Sequence, residues 1–366
     1  MKTFINNLFR IFVGALFVFS GLVKLNDPQG TAIKMTEYFQ VFAEDFFNPF
    51  IYLVPAALPI AFIIIIFEIL VGIALLINYK MQLTTKVLLV MIIFFTFLTF
   101  YSAYFDKVTD CGCFGDAIPL TPWESFYKDI VLLIMSLWLF FNRKDFVNMF
   151  RSFTANAILI ASAVIFTIVG IYAINHLPYI DFRPYAVGES IPENMQPAEN
   201  PIFEYTFVKD GEEIKSRKYI QDEGYEYVSN EVINKDESEP EITDYSVESI
   251  TGDDVTQRTF EGIKLLIIIE SLEKTDKEAY SEINSLLSGL KPGIESMVLT
   301  AVGPGEFDKF RHEVQLGVPY YFTDHTVLKA MVRSNPGIML LQNGVVKGKW
   351  HHNDTPSPAD IHSLID

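Results

Sequence analysis

Only two cysteines occur among the 366 residues, Cys111 and Cys113, one residue apart. That scarcity excludes an electron relay between two cysteine pairs of this chain. Two sulfurs alone also fall short of the four ligands of a structural zinc site. Histidine is sparse as well, six in all, and none lies in the segment that holds the cysteines. Basic residues are outnumbered, with 28 Lys+Arg against 45 Asp+Glu. The deficit is confined to one half: residues 1–180 carry 11 basic and 11 acidic side chains, residues 181–366 carry 17 and 34. A nucleic-acid binder needs a basic footprint, so no nucleic-acid partner is expected. Charges within the long apolar runs are few and no inverted repeat is visible, which argues against a transporter.

What the chain has in abundance is apolar sequence. Half of it is hydrophobic, with 32 Phe, a content that points to a membrane part joined to a second part. Five segments of the first half approach or exceed the ~20 apolar residues that a membrane helix needs. They run roughly over 8–25, 50–77, 83–105, 124–141 and 155–174. The first is read as a retained span, because no small-x-small cleavage site follows it before Lys24. The lipid bilayer is therefore an expected partner. Lys2 and Arg10, Lys80 and Lys86, and Arg143, Lys144 and Arg151 fall on one side of a five-span arrangement. The positive-inside rule makes that side cytoplasmic. The loop 106–122, with both cysteines, and the acidic half then face outward, into the periplasm of a Gram-negative cell with the N-terminus cytoplasmic.

Beyond the last span, Pro178 and Pro184 mark the exit from the membrane. Residues 202–208 and 212–220 flank Asp210-Gly211, a hairpin signal, and 236–241 is a charge-dense loop. From Ile263 onward strand-like and helix-like patterns alternate: strand 264–269, helix 275–290, strand 296–302, helix 304–316 and a short aromatic strand 319–322. Asp324 is placed to cap a helix over 326–332. Residues 336–341 and 345–350 flank Asn343-Gly344, a two-residue hairpin turn, and a helix over 358–365 closes the chain.

That order, βαβα followed by a hairpin and a helix, resembles a thioredoxin-like domain, and Ser334-Asn335-Pro336 stands where that family carries its cis-proline. The family's Cys-x-x-Cys has no counterpart. Its place is taken by Glu270-Ser271-Leu272-Glu273-Lys274, so the resemblance implies a binding domain that does not exchange thiols. In the first half, the first span with Arg10, Gly14, Gly21 and Lys24, followed by a span with Glu68, resembles the DoxX family of four-helix membrane proteins. The Asp110-Cys111-Gly112-Cys113-Phe114-Gly115 loop is similar to that of its MauE-type relatives. DoxX takes its name from a subunit of a thiosulfate:quinone oxidoreductase, and MauE relatives are associated with maturing disulfide-containing periplasmic enzymes. A fusion of such a unit to a thioredoxin-like domain resembles a pattern seen in Bacteroidetes. The implied fold is multi-domain: a DoxX/MauE-like α-helical bundle (1–150), a fifth span and linker (151–183), a β-rich acidic insertion (184–262) and an α/β thioredoxin-like domain (263–366).

Several residues are candidates for chemistry. Cys111 and Cys113 cycle between dithiol and disulfide in one reading, with Gly112 supplying the bend that a side chain would resist. A bridge across one residue is strained, and strained bridges are more easily reduced. In the second reading the pair is a permanent staple, as an oxidising compartment allows. Gly115 turns the chain back, and Lys107 favours a thiolate while Asp106, Asp110 and Asp116 oppose it. Glu68 is either a proton-carrying group or a hydrogen-bond partner for another span, since a carboxylate inside the membrane is costly. Gly14 and Gly21, seven apart, allow one face of the first span to pack closely. Arg10 and Lys24 are read as interface anchors. His351 and His352 are expected to point to opposite faces of a strand, and no metal site is assigned. A quinone is the cofactor that the redox reading admits, beside the aromatic stretch 94–105. Two functions follow: thiol–disulfide or respiratory redox chemistry with periplasmic or membrane protein partners, or a non-catalytic scaffold of a cell-envelope complex with a structural disulfide.

Overall fold

The computed structural model describes residues 1–108, 112, 114–209, 211–222, 224–234 and 238–365. It divides into two compact units, Met1–Phe182 and Arg183–Asp366.

The first unit is helical: α1 (Lys2–Asn26), α2 (Pro28–Asp45), a 3₁₀ run (Asn48–Ala56) leading into α3 (Ala57–Leu76), α4 (Met81–Phe105), α5 (Pro122–Phe141) and α6 (Ser152–Asn175). Among the described residues, four stretches have the length and composition to cross a membrane: α1, the run Asn48–Leu76, α4 and α6. At ~1.5 Å per residue, a 25-residue helix such as α1 is ~37 Å long, more than the ~30 Å hydrocarbon core. The remaining apolar segment, read from sequence as 124–141, is the 20-residue α5, which carries Glu124, Lys128 and Asp129 in its first two turns. The outward faces of these helices are apolar: Ile63, Val90, Ile134 and Ile160 are each more than 60 % exposed. The chain is thus a multi-pass membrane protein.

Local chemistry sets the boundaries. Asp27 caps α2 by accepting from Gly30 N at 2.8 Å, with Pro28 at the first helical position. Thr121 and Glu124 form a capping box on α5. Asp106 ends α4 in the left-handed conformation (φ 53°), its N–H donating to Ser102 O at 3.0 Å. Helix α2 was not expected from the sequence. It mixes apolar and polar residues and buries only Pro28, Ala32, Tyr38 and Phe42.

Packing between α1 and α3 confirms the close approach read from the glycines. A methyl group at Gly72 would lie 2.8 Å from Gly14 O, and one at Gly21 would lie 2.4 Å from an Ile69 carbon. Around that seam Val13, Phe17, Val71, Leu75, Leu88, Ile92, Leu132 and Leu139 form one buried cluster. Leu25, Ile65 and Ile69 form another.

The second unit holds two sheets. The smaller is antiparallel, in the order β2 (Glu212–Ser216), β1 (Phe203–Lys209), β3 (Glu226–Val232). Its β1–β2 hairpin matches the expected one, though Asp210 lies outside the described residues, as do Lys235 and, in the charge-dense loop, Asp236 and Glu237. The larger sheet has the order β6-β5-β4-β7-β8, with β4 (Ile263–Ile269), β5 (Ile294–Thr300), β6 (Tyr320–Phe322), β7 (Gly337–Gln342) and β8 (Val345–His351). Strands β4, β5 and β6 are parallel, and β7 and β8 are antiparallel to their neighbours. Helices α7 (Tyr280–Ser288), α8 (Pro304–Glu313), α9 (His325–Met331) and α10 (Pro358–Ser363) complete this α/β domain. Its core joins Leu265, Ile267 and Ile269 of β4 to Tyr280, Phe307, Ile338 and Ile361. Asp324 caps α9 through Thr326 N at 2.7 Å. Asn343 and Gly344, both at positive φ, make the β7–β8 turn. Helix α7 is shorter than expected: it begins at Tyr280, because Asp276 binds Glu278 N at 2.8 Å in a turn of its own. Residues 188–191 bond to the β8 end of this sheet, through Gly188 N to Val346 O (2.8 Å) and Ile191 N to Gly344 O (3.0 Å).

Candidate functional site

Because α1 and α3 lie so close, Lys24 in the last turn of α1 reaches Glu68 of α3. Its Nζ donates to Oε2 at 2.8 Å and to Oε1 at 3.1 Å. Glu68 is 3 % exposed and Lys24 11 %. Lys24 is therefore no interface anchor: it turns inward, and its ammonium also lies 5.2 Å from the centroid of the Phe95 ring. Of the two readings of Glu68, the structure gives it a partner on another helix. Arg10 is likewise buried, and donates to the carbonyls of Leu75 (3.0 Å) and Leu76 at the end of α3. It satisfies the acceptors that a helix leaves open at its C-terminus.

A second charged pair was missed by sequence reasoning. Lys128 Nζ lies 3.0 Å from Asp129 Oδ1, and Asp129, 2 % exposed, accepts from the Thr99 hydroxyl at 3.1 Å. The signal was present: α5 is the one apolar segment whose first turns carry three charges. Lys128 also sits 4.9 Å from the centroid of the Phe114 ring.

Both pairs border a partly open pocket of about 190 Å³ in the helical unit, lined mostly by apolar side chains of α1 to α5. Phe94, Phe95, Leu98 and Thr99 of the aromatic stretch face it, and α2, absent from the sequence reading, contributes Lys34, Tyr38 and Phe42 among others. Gly112 and Phe114 of the cysteine loop line it too.

Cys111 and Cys113 themselves lie outside the described residues, with Thr109 and Asp110. Around them the loop is fixed at both flanks. Ser102 Oγ donates to Val108 O, and Lys107 pairs with Asp45, which also accepts from Tyr101. Lys107 holds the Asp45 carboxyl below its ordinary range, with help from Tyr101. The charge that the sequence reading offered to a thiolate is thus committed to a carboxylate. On the far side Phe114 is buried against Phe19, ring centroids 5.8 Å apart. Gly115 N donates to Gly112 O at 3.2 Å in a turn with both glycines at positive φ. At Gly112 (φ 63°) a Cβ would meet Lys34 Cγ at 3.4 Å.

In the second unit the Asn335–Pro336 peptide is cis, where the thioredoxin-like resemblance places it. The Asn335 side chain ties this loop to the segment that replaces Cys-x-x-Cys, accepting from Glu270 N at 3.1 Å and donating to Ser271 O at 2.7 Å. His325 Nε2 lies 2.9 Å from Glu270 Oε1. His351 and His352 do not point apart as expected: β8 ends between them and their rings lie 4.0 Å apart. His352 Nδ1 is 3.0 Å from Ser334 Oγ, and burial lowers its pKa against the attraction of Asp276. Among the described residues no three His, Cys, Asp or Glu side chains converge as a metal site would require.

Comparison with known proteins gives two similarities. Protein TlpB of Flavobacterium psychrophilum is 28 % identical over 137 residues, covering 36 % of this chain and 35 % of that protein. The match thus spans about a third of the length of that curated relative. Residues 2–142 match the family described as "Methylamine utilisation protein MauE". The chain is thus a multi-pass membrane protein in which residues 2–142 are similar to the MauE family and the second unit holds an α/β domain.

Proposed function

We propose that this chain is an inner-membrane protein that performs thiol–disulfide chemistry at Cys111 and Cys113 with a periplasmic or membrane protein partner. The observation that carries the reading is the place of Gly112, the residue between them: it lines the cavity bordered by Lys24–Glu68 and Lys128–Asp129. Buried ionisable groups in membrane helices are costly and mark functional sites by default. In the exchange, two thiols of the partner lose two protons and two electrons and form a disulfide, while the Cys111–Cys113 bridge gains them and opens. The N-terminus is cytoplasmic, and the cysteine loop and C-terminal domain are periplasmic, as the distribution of Lys and Arg directs. The finer division, a helical bundle over 1–150, a fifth span to 183, an acidic β-rich segment to 262 and a thioredoxin-like domain to 366, assigns the last to docking. With no cysteine in Glu270–Lys274, it presents its Asn335–Pro336 loop for binding rather than exchange.

One observation favours the scaffold reading instead: Lys107, the nearest described cation in sequence, is neutralised by Asp45, which removes a means of lowering a thiol pKa. The test is exchange in the folded full-length protein. Membranes are treated with a mild dithiol, quenched with an alkylating reagent and read by gel shift. Reversible reduction and reoxidation of the pair, abolished in Cys111→Ser, supports the redox function. A bridge that opens only after denaturation identifies a staple and a scaffold.

A further inference from the structure

The smaller sheet of the second unit ends in an open edge that carries charge of one sign. In the order β2-β1-β3, no strand among the described residues pairs with the outer side of β3. An edge strand presents unpaired N–H and C=O groups, and proteins usually guard such an edge with lysine, proline or a short strand. The opposite edge, β2, has five residues and carries Lys215. Strand β3 has seven, six of them exposed, and neither lysine nor proline. Its charges are Glu226 and Glu231.

Five positions apart, these two carboxylates would point to opposite faces of a regular strand. A bulge brings them to one face. Glu231 stands opposite Glu204, Ser229 opposite Thr206, Tyr227 opposite Phe207 and Glu226 opposite Val208, with the register shifting between Thr206 and Phe207. Val228 is the extra residue, so Glu226, Ser229 and Glu231 share a face. Their partners on β1 are four residues apart, which sets the carboxylates ~13 Å from one another along the strand. Glu204 and Glu231 are like charges directly opposite, a costly pairing, and Lys215 bridges the two at 2.8 and 3.0 Å. Glu226 has no ion-pair partner among the described residues.

The other face of β3 is aromatic. Tyr219 and Tyr227 are exposed, with ring centroids 5.9 Å apart. They rest on the buried ring of Phe207, at 5.5 and 6.1 Å. In the same cluster the Tyr225 ring already takes an ammonium, that of Lys209, 4.3 Å from its centroid.

Charge selects the occupant of this edge. Residues 199–241 carry 13 acidic and 5 basic side chains. A second copy of the chain would set that excess against itself, and an anionic lipid surface would be repelled in the same way. An extended segment with cations on one face and apolar groups on the other complements both faces of β3. We infer that the outer edge of β3 takes up, by strand addition, an extended basic segment of a partner protein. Two Lys or Arg side chains four residues apart pair with Glu226 and Glu231, and the side chains between them lie against Tyr219 and Tyr227. Main-chain bonds supply the affinity of such a mode and the alternating side chains its specificity. The surface is distinct from the Asn335–Pro336 loop and does not depend on the thiol reading.

The test is direct binding to the full chain in nanodiscs of zwitterionic lipid. The probe is a short fluorescent peptide of alternating Val and Thr, with Lys at two positions four residues apart, followed by anisotropy. Saturable binding that weakens as salt rises is expected. The double variant Glu226→Lys, Glu231→Lys should weaken it by roughly tenfold or more, since two attractions become repulsions. Glu212→Lys, Glu213→Lys makes the same change of net charge on the β2 edge and should leave binding within about twofold. Both pairs are exposed, and unchanged far-ultraviolet circular dichroism would show that the fold survives. Methylating every second backbone nitrogen of the peptide preserves its charge. One phase of methylation should abolish binding and the other preserve it, because alternate N–H groups of an added strand face β3. Equal loss in the two charge variants, or equal binding of the two methylated peptides, would reduce the effect to diffuse attraction and overturn the proposal. So would dimers in sedimentation that the peptide dissociates, which would give the edge to a second copy.

Discussion

The Lys24–Glu68 pair offers the sharpest energetic test of the helical unit. Replacing Glu68 by Met removes a carboxylate that is 3 % exposed and takes both of its hydrogen bonds from Lys24, at 2.8 and 3.1 Å. The ammonium left behind is 11 % exposed. Breaking a buried pair in this way costs ~3–5 kcal/mol, because the survivor stays desolvated without compensation. Replacing both residues by Met removes that uncompensated charge and fills similar volume, so the double variant should lie within ~1 kcal/mol of the parent or above it. The single variant is thus the least stable of the three, and the coupling energy is ~2–5 kcal/mol. The assay is unfolding of the full chain in mixed micelles by titrated SDS, followed by far-ultraviolet circular dichroism. A single variant within ~0.5 kcal/mol of the double would refute the reasoning. It would mean that Lys24 finds other partners, such as the Phe95 ring.

Three further outcomes follow from particular contacts. Gly72→Ala should destabilise the helical unit by ~1–3 kcal/mol, since its Cβ would meet Gly14 O and Val18 Cγ2 at 2.8 Å and Val18 N at 2.9 Å; SDS unfolding measures this, and Gly14→Ala, whose closest neighbours are the movable Leu76 side-chain atoms at 3.0 Å, should cost less. Asn335→Ala removes the bonds to Glu270 N and Ser271 O, worth ~1–3 kcal/mol together, and amide exchange at Glu270 should quicken in native-state hydrogen exchange. His352 is held below its ordinary 6.5 by burial, against the pull of Asp276. The unfolded chain therefore binds this proton more readily, so the contribution is complete above the unfolded value and disappears as pH falls through the folded one. Titration of the His352 ring by NMR should give a value below 6.5, and His352→Gln should flatten that part of the stability profile.

Much of the fold was legible because its signals are local. The Asp324 cap, the Asn343-Gly344 turn and the proline after Ser334-Asn335 depend on residues within a few positions of one another. The glycines at 14 and 21 needed only helical periodicity to be placed on one face. What was illegible depended on distant partners. Lys24 at the end of an apolar helix reads as a group reaching for water, and its carboxylate lies 44 positions along the chain. Helix α2 has no apolar run to announce it, yet it helps to line the cavity. Strand β3, with six of its seven residues exposed, has little of the alternation that marks a half-buried strand. The cavity is a property of five helices together. No single stretch encodes it, although Glu68 and the charged start of α5 each signalled that polar groups are held inside this unit.

Whether Cys111 and Cys113 exchange electrons, as proposed, is decided by the reduction potential of the pair. Membranes containing the full chain are equilibrated against a graded thiol buffer, the thiols are trapped, and the reduced fraction is fitted. A redox-active pair should have a potential among the oxidising dithiols, ~ −200 to −120 mV. A potential below ~ −300 mV, the range of structural bridges, would contradict it and leave the scaffold as the function of this chain.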